Sequence, residues 1–420
     1  MRHLFISLCM AATLCGCAQT TTQAVTPVAR PAIAKRSITS VSHVVILEME
    51  NRSLDEMFGT YPGVNGVNSP GVVCNPDPSS GQCILPFHDT STINHGGPHS
   101  DAAERVDIDG GKMDGFIASA RDKAVMGYHT CDEIPTYCFY AQNGVLADNF
   151  FEASSSFSTM AHLYMVSNWS AKCTGTDQPL SCVSDNEVAI KSKPDLAWTD
   201  MTYLFHKAGI SWGYFVFASG HPFIPPQDND GEVDSGNSFK TAGLWNPLPD
   251  FDTVKEDGET ANIRPGYKFD ALAVAGTLPQ VSWVVPSFNT SDHPSADLVQ
   301  GQLWVKHEID EIEAGADGPS TLIIINWDDF GGFYDHVQPP FVDALGYGIR
   351  TPMILYGPMV AAPGSVDHQF LSTDAVNAFI ERLFLSGQML DPNTDGRPDS
   401  RPDVREMTPG LGAIENDLNG

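Results

Sequence analysis

Two pairs of oxygen-bearing side chains, Glu50-Asn51 and Asp328-Asp329, each follow directly after a run of apolar, mostly β-branched residues. Such runs are typical of short strands in a sheet that is covered on both faces. Because ligands of open α/β sheets bind beyond the carboxyl ends of the strands, we expect the two pairs to meet at one edge. Three carboxylates and an amide repel one another unless a cation lies between them, and oxygen ligands favour a hard or borderline divalent ion. These four residues are therefore the predicted metal ligands.

The sequence around both pairs resembles the bacterial phosphoesterase family that includes acid phosphatases and non-haemolytic phospholipases C. The resemblance is carried by four blocks that keep the family's order within residues 40–385: residues 50–59, 111–116, 291–294 and 327–340. A single short motif is only a hypothesis, whereas four in order are specific. The resemblance implies an alkaline-phosphatase-like α/β fold, a three-layer α/β/α sandwich with a mostly parallel central sheet, and metal-dependent hydrolysis of phosphate esters.

A nucleophile is expected in residues 151–164, which resemble the family segment that carries it. Aligning on the His-Leu-Tyr that begins at His162 places Ser158 at the nucleophilic position, although four neighbouring residues differ from the family's usual Gly, Pro, Pro and Asn. Ser156 and Thr159 stay open as alternatives. A serine hydroxyl is a weak nucleophile at neutral pH, and a coordinated cation would stabilise its alkoxide.

Three histidines within or near the blocks match family positions near the phosphate: His99, His293 and His336. A protonated imidazole donates a hydrogen bond to a phosphoryl oxygen or to the leaving alkoxide, and protonation in mildly acidic medium suits an acid pH optimum. Together with Ser158 they are the predicted catalytic residues. For His162 a catalytic role and a loop-fixing role are equally supported.

The first residues of the chain have the pattern of an export signal. A basic start, a short apolar stretch and small residues are followed by Leu14-Cys15-Gly16-Cys17, which resembles a bacterial lipobox whose last cysteine is acylated. Ordinary signal-peptidase cleavage is the alternative. We expect residues 1–17 to be the lipoprotein signal, 18–40 a flexible tether, 41–390 the catalytic domain and 391–420 a surface tail. The expected location is the cell envelope, with a membrane tether through Cys17.

Six further cysteines fall into three local pairs: Cys74/Cys83, Cys131/Cys138 and Cys173/Cys182. An even number of cysteines in an exported chain favours disulfides, and the close spacing favours these pairings among the fifteen that six cysteines allow. Zinc binding is the competing interpretation, but no Cys-x-x-Cys spacing supports it. Disulfides that staple long loops are the prediction.

The formal net charge of −29 restricts the partners of the chain. An acidic surface repels nucleic acids and anionic membranes, so no nucleic-acid partner is expected. A small phosphate ester is the expected substrate, with a phospholipid as the alternative.

The elements that must position these residues can be predicted from the same sequence. Apolar runs predict strands, and periodic stretches bounded by turn residues predict helices, in alternation that favours a mostly parallel sheet. The predicted strands are 43–49, 210–217, 281–285, 321–327 and 351–356. The predicted helices are about 297–314 and about 373–385, the second with Ser372 as its N-cap.

Three functions compete on this sequence. The first is hydrolysis of phosphate monoesters through a phosphoserine, as in an acid phosphatase; the second is phospholipase C activity on phosphatidylcholine-type diesters. The third is a catalytically inactive, surface-tethered binding protein, made conceivable by the altered residues around Ser158. A carboxyl esterase would need a Gly-x-Ser-x-Gly elbow, which the sequence lacks.

Overall fold

The computed structural model describes residues 37–155, 157–170, 196, 198–217, 243, 245–343, 346–396 and 404–419. The predicted signal, most of the tether, Ser156 and the Cys173/Cys182 pair lie outside the described residues. Within the described ranges, no helix is both long enough and apolar enough to cross a membrane.

A central sheet of eight strands forms the middle layer. In chain order its strands are β1 (His43–Met49), β6 (Val145–Ala147), β8 (Trp212–Val216), β9 (Ile263–Pro265), β10 (Val281–Val285), β11 (Thr321–Trp327), β12 (Met353–Tyr356) and β13 (Ser365–Asp367). Their order across the sheet is β13-β6-β12-β11-β1-β10-β8-β9. Only β12 runs antiparallel to its neighbours, so the sheet is mostly parallel.

Short strands outside this sheet pair in twos: β2 (Asn75–Pro76) with β3 (Cys83–Ile84), β4 (Phe87–His88) with β5 (Gly127–Tyr128), and β7 (Phe150–Phe151) with β14 (Leu371–Ser372). The first two pairs lie in the loop-rich part of the chain that precedes β6.

The described residues form ten α-helices: α1 (Leu54–Phe58), α2 (Asp101–Ile108), α3 (Phe116–Ala120), α4 (Pro135–Asn143), α5 (Ser158–Ser167), α6 (Met201–Ala208), α7 (Asp252–Glu256), α8 (Tyr267–Ala275), α9 (Leu298–Ala314) and α10 (Thr373–Phe384). One core packs α5, α6, α7 and α10 against one face of the sheet. A second core packs α1, α4, α8 and α9 against the other. The predicted three-layer sandwich is confirmed.

Strands β1 and β11 are neighbours at the centre of the sheet and run parallel, with Met49 opposite Trp327. Successive side chains point to opposite faces, so Val44 and Ile46 join one core while Val45 and Leu47 join the other. Burial on both faces explains why β1 is apolar from Val44 to Leu47 and β11 from Leu322 to Ile325.

Element boundaries agree with prediction to within about two residues. Strand β10 and both central strands match their predicted ranges, while β8 and β12 are each shorter at one or both ends. Ser372 precedes α10 as predicted, but its side chain makes no capping bond. Its hydroxyl lies 3.4 Å from the Asp374 carboxylate instead.

Part of the segment expected to run over the surface is buried. Ile414 and Leu418 join the core on the α10 face of the sheet, and the Arg405 guanidinium contacts the buried Asp374 carboxylate at 3.3 Å. The backbone N–H of Ile38, just before the first strand, donates a hydrogen bond to the carbonyl of Asn419, so the two ends of the described chain meet. The expected surface tail therefore helps to close the core.

Two of the three predicted disulfides are present, Cys74–Cys83 and Cys131–Cys138. The first lies beside the β2–β3 pair, and the second joins the loop before α4 to the helix itself. We expect non-reducing peptide mapping to recover both pairs and to find no reactive thiol at these four positions. Cross-linked peptides from different pairs would contradict this assignment.

Candidate active site

The two acidic pairs meet at the carboxyl edge of the sheet, as their positions after β1 and β11 predict. The backbone N–H of Asn51 donates to Asp328 Oδ1 at 2.8 Å, and the Asn51 side-chain amide donates to Asp329 Oδ1 at 2.7 Å. Glu50, Asn51, Asp328 and Asp329 are all buried. The four predicted metal ligands thus form one group.

Three oxygen atoms of this group suit a cation. Glu50 Oε2, Asn51 Oδ1 and Asp328 Oδ2 are buried, and none has a hydrogen-bond partner among the described residues. A buried carboxylate oxygen without a partner is costly unless it binds a cation or a proton. The donor set therefore fits a divalent metal ion.

The electrostatics of the group point the same way. Burial, then repulsion from Asp328, raises the pKa of Glu50 well above its ordinary value. Burial is also the main reason why the pKa of Asp328 rises to about 7 and that of Asp329 to about 7. These shifts come mainly from burial, to which repulsion between carboxylates adds for Glu50 and Asp328, and a divalent cation in the group would favour the ionised forms.

His162 belongs to this group. It lies on α5, is fully buried, and places Nε2 2.8 Å from Glu50 Oε1. Glu50, His162 and Asp328 each offer one ligand atom, and these atoms lie within 4.8 Å of one another. Burial lowers the pKa of His162 to about 3, so the neutral imidazole is the form available to a metal or to a carboxyl group. Sequence reasoning gave this histidine no clear role.

Ser158 lies at the first position of α5, with its hydroxyl facing the acidic group. Its Oγ donates to Asp329 Oδ2 at 3.2 Å. The side chain is 7% exposed, whereas its neighbour Thr159 is fully buried. The amino end of a helix also carries N–H groups that favour an anion. The third candidate, Ser156, lies outside the described residues.

Two of the three predicted histidines lie together near this group. The rings of His99 and His293 are 6.3 Å apart, and Trp245 lies between His293, at 6.0 Å, and His162, at 6.4 Å. Trp245 thus lies between the outer pair of histidines, His99 and His293, and His162, which belongs with the acidic residues of the metal group. No recognised motif surrounds this tryptophan, so the sequence did not identify it.

Glycines allow the His99 loop to approach the acidic turn. Gly97 donates a backbone hydrogen bond to Gly331 at 2.9 Å. A Cβ atom on Gly332, which has φ of +77°, would lie 2.4 Å from the Gly97 backbone. Asn51 itself has φ of 60°, a conformation that non-glycine residues adopt rarely and mostly where surrounding contacts hold them. The loop at Gly97 and the turn at Gly331 and Gly332 therefore hold each other in place.

His336 occupies a different place. Its Nδ1 lies 2.7 Å from Asp55 Oδ2 and its Nε2 lies 3.2 Å from Asn65 Oδ1. Arg350 joins the same cluster through Asp335, with Nε to Oδ1 at 3.0 Å. The structure therefore brings His336 into a buried ion-pair network and not, through any described contact, to Ser158.

This network is expected to stabilise the domain. Arg350→Met would leave Asp55 and Asp335 buried without their cationic partner, and loss of one member of a buried pair costs about 3–5 kcal/mol. We expect chemical denaturation to show a loss of that order in the free energy of unfolding. Arg382→Met is the matched control, because Arg382 pairs with Glu415 at the surface and such pairs contribute about 1 kcal/mol or less. Equal losses in the two variants would contradict the network's role.

A second acidic layer lies behind Asp329 and was not predicted. Glu152 accepts a hydrogen bond from the Phe330 N–H at 2.6 Å, and Glu104 accepts one from the Ile349 N–H at 2.9 Å. Both carboxyls are buried. Burial raises the pKa of each well above its ordinary value, and their hydrogen bonds hold the Phe330 and Ile349 backbone in place.

The carboxyl edge of the α/β sheet thus gathers carboxylates, an amide, an imidazole and a serine hydroxyl, a set that fits a cation beside a hydroxyl group. A family model described as the phosphoesterase family matches residues 41–385. The chain belongs to this family of hydrolases, which act on phosphoric ester bonds.

Several curated proteins are similar to the chain. The non-hemolytic phospholipase C of Pseudomonas aeruginosa is 25% identical over 412 residues, which cover 85% of this chain and 55% of the relative. Phospholipase C A of Mycobacterium tuberculosis is 26% identical over 398 residues, covering 82% of this chain and 73% of the relative. The chain thus spans about half the length of the first relative.

Among solved structures, a protein in the alkaline phosphatase superfamily from Vibrio parahaemolyticus is similar, with a TM-score of 0.37 and 12% identity, over 89% of this chain and 72% of that one. The lipoteichoic acid synthase LtaP from Listeria monocytogenes gives a TM-score of 0.34 and 10% identity, over 82% and 72% of the two chains.

Proposed function

We propose that this chain hydrolyses phosphate esters by attack of Ser158 Oγ on phosphorus, beside a divalent cation held by Glu50, Asn51, Asp328 and Asp329. The observation that carries the proposal is the hydrogen bond from Ser158 Oγ to Asp329 Oδ2 at 3.2 Å. This contact supports the proposal because a serine hydroxyl beside a cation-binding group can act as a nucleophile. An inactive binding protein would have no need of this arrangement.

A bound divalent cation would supply Lewis-acid stabilisation of the serine alkoxide and of a phosphoryl oxygen. Asp329 holds the Ser158 hydroxyl in one orientation, and the amino end of α5 favours the negative charge of the phosphate. As the bond between Oγ and phosphorus forms, the Oγ proton passes to Asp329 Oδ2 and the bond from phosphorus to the alcohol oxygen breaks, with the leaving alkoxide taking a proton from a protonated histidine or from water. Water then hydrolyses the phosphoserine and regenerates the hydroxyl.

The tautomers of the two outer histidines follow from their neighbours. His99 Nδ1 lies 3.0 Å from the Gly97 carbonyl and His293 Nδ1 lies 2.7 Å from the Pro294 carbonyl. Because a carbonyl only accepts, each Nδ1 carries the hydrogen, and each Nε2 can donate only when the ring is protonated. Burial lowers the pKa of His293 to about 4, and an anionic phosphate beside the ring would raise it. Donation to the substrate is thus favoured in acidic medium.

Small phosphate monoesters are the proposed substrates. The chain has a formal net charge of −29, which disfavours approach to an anionic bilayer. A small soluble ester reaches a buried site by diffusion and needs no membrane contact. The expected protonation of His293 in acidic medium also agrees with an acid phosphatase.

Phospholipase C activity is the second candidate. It is favoured by the relatives, since both the Pseudomonas and the Mycobacterium proteins are named phospholipase C. A phosphatidylcholine headgroup carries a cationic choline, so the acidic surface does not exclude it.

The two candidates can be separated with matched chromogenic substrates. p-Nitrophenyl phosphate and p-nitrophenyl phosphorylcholine release the same product from a monoester and a diester. Both substrates are assayed across pH 4–8, with and without a chelator. We expect the chelator to inhibit hydrolysis and the monoester to be turned over faster than the diester. Faster turnover of the diester would support the phospholipase, and turnover of neither would refute the proposed function.

A further inference from the structure

Besides the active site and the cluster of Asp55, Asp335 and His336, a third group of potential metal ligands lies on the α8–α9 face. Asp270 on α8 and His307 and Glu308 on α9 each offer a ligand atom, and these atoms lie within 4.8 Å of one another. The two helices pack side by side through Phe269, Val305 and other residues of the same core. Nothing in the proposed reaction uses this group.

Glu308 is the unusual member. Its carboxyl is fully buried, and apart from a proton that it can share with the neighbouring Asp270 carboxyl, neither of its oxygens has a hydrogen-bond donor among the residues that the structure describes. The charged side chains that act on it, Asp270 and Glu311, are themselves acidic. Burial, then the charge of Asp270, raises the pKa of Glu308 well above its ordinary value. A carboxyl in this position has to hold a proton or bind a cation.

We propose that Asp270, His307 and Glu308 form a second divalent-cation site, for zinc or a similar borderline ion. An imidazole ligand beside two carboxylates favours such ions over calcium or magnesium, which take oxygen ligands. His307 Nε2 faces Asp270 Oδ2 at 4.0 Å, while its Nδ1 faces Glu311 Oε1 at 4.0 Å. Metal-binding histidines commonly direct the second ring nitrogen at a carboxylate, which fixes the tautomer.

The group is accessible and close to binding geometry. The side chains of His307 and Asp270 are 24% and 19% exposed, so an ion can enter from solvent and reach the buried Glu308. Zinc bonds of about 2.1 Å place tetrahedral ligand atoms about 3.4 Å apart, so side-chain shifts of about 1 Å would complete the site. The ion would join α8 to α9, and water would fill its remaining position.

The test is zinc content of the purified full chain. After chelator treatment, reloading with zinc and desalting, we expect Glu308→Gln and His307→Gln each to hold one equivalent less than the wild type, measured by elemental analysis. Both variants should keep wild-type turnover of a phosphate ester. Asp310→Asn is the matched control: it lies on the same helix and pairs with Lys306, and it should keep the wild-type zinc content.

A second measurement separates cation binding from mere loss of folding. Zinc should raise the melting temperature of Asp328→Asn, in which the active-site ligand set is broken, and this rise should disappear in Asp328→Asn/Glu308→Gln. Glu311→Gln should weaken zinc binding by about 10-fold to 100-fold without abolishing it. Equal zinc content in the wild type and in Glu308→Gln would show that the carboxyl pair shares a proton instead, and would overturn the proposal.

Discussion

Ser158→Ala is expected to lower the turnover of a phosphate ester by on the order of 10⁴-fold, because only activation of water beside the cation would be left. The fold should persist, since the side chain lost is small and lies at the end of α5. Metal content should also stay at the wild-type level. Steady-state kinetics and elemental analysis of the same preparation measure both effects.

A trapping experiment identifies the nucleophile directly. Acid quenching during turnover should leave a phosphoserine on the peptide of residues 153–164, at Ser158. Thr159→Val is the matched control, because Thr159 is fully buried and the replacement has nearly the same shape, and it should keep most of the activity. Near wild-type turnover in Ser158→Ala, or label on Ser156 or Thr159, would refute the assignment.

Glu50→Gln and Asp328→Asn are each expected to lose the active-site metal and most of the activity while the chain stays folded. Each change removes a buried carboxylate whose oxygen lacks a hydrogen-bond donor. It also removes like-charge repulsion, so without metal the variants should be at least as stable as the wild type. Elemental analysis and thermal denaturation in chelator measure the two effects.

Asp107→Asn is the control for this pair of variants. Asp107 is a buried carboxyl on α2, outside the metal group, and burial raises its pKa to about 8. The amide therefore replaces a group that is mostly uncharged at neutral pH, and metal content should not change. Wild-type metal content in both Glu50→Gln and Asp328→Asn would refute the proposed ligands.

The metal group could be predicted because its position depends on one local pattern. Strands β1 and β11 are apolar on both faces, so their ends are visible in the sequence, and parallel pairing brings Glu50 beside Asp328. Chain order alone did not say that the two strands are direct neighbours. The family resemblance supplied Ser158, which no physical property of its local sequence would have distinguished from the adjacent serines.

Other parts of the site depend on contacts that a local pattern does not encode. Trp245 reaches the site from a loop without a recognised motif, and Glu152 lies in residues 151–164, whose resemblance pointed only to the nucleophile. His336 follows the acidic turn closely in sequence, but its ring bonds to Asp55 and Asn65. Proximity in the chain is a poor guide once a loop changes direction, as this one does at Gly331 and Gly332 with positive φ.

The pairing of β1 with β11 also has a consequence for how the chain acquires activity. The hydrogen bond between Asn51 and Asp329 joins residues 278 positions apart, so almost the whole domain is synthesised between the two halves of the site. Closing so large a loop is slow and gains nothing until the central strands dock. A chain in which β1 and β11 have not yet paired therefore lacks the assembled ligand group, so we expect activity to appear only after these two strands dock.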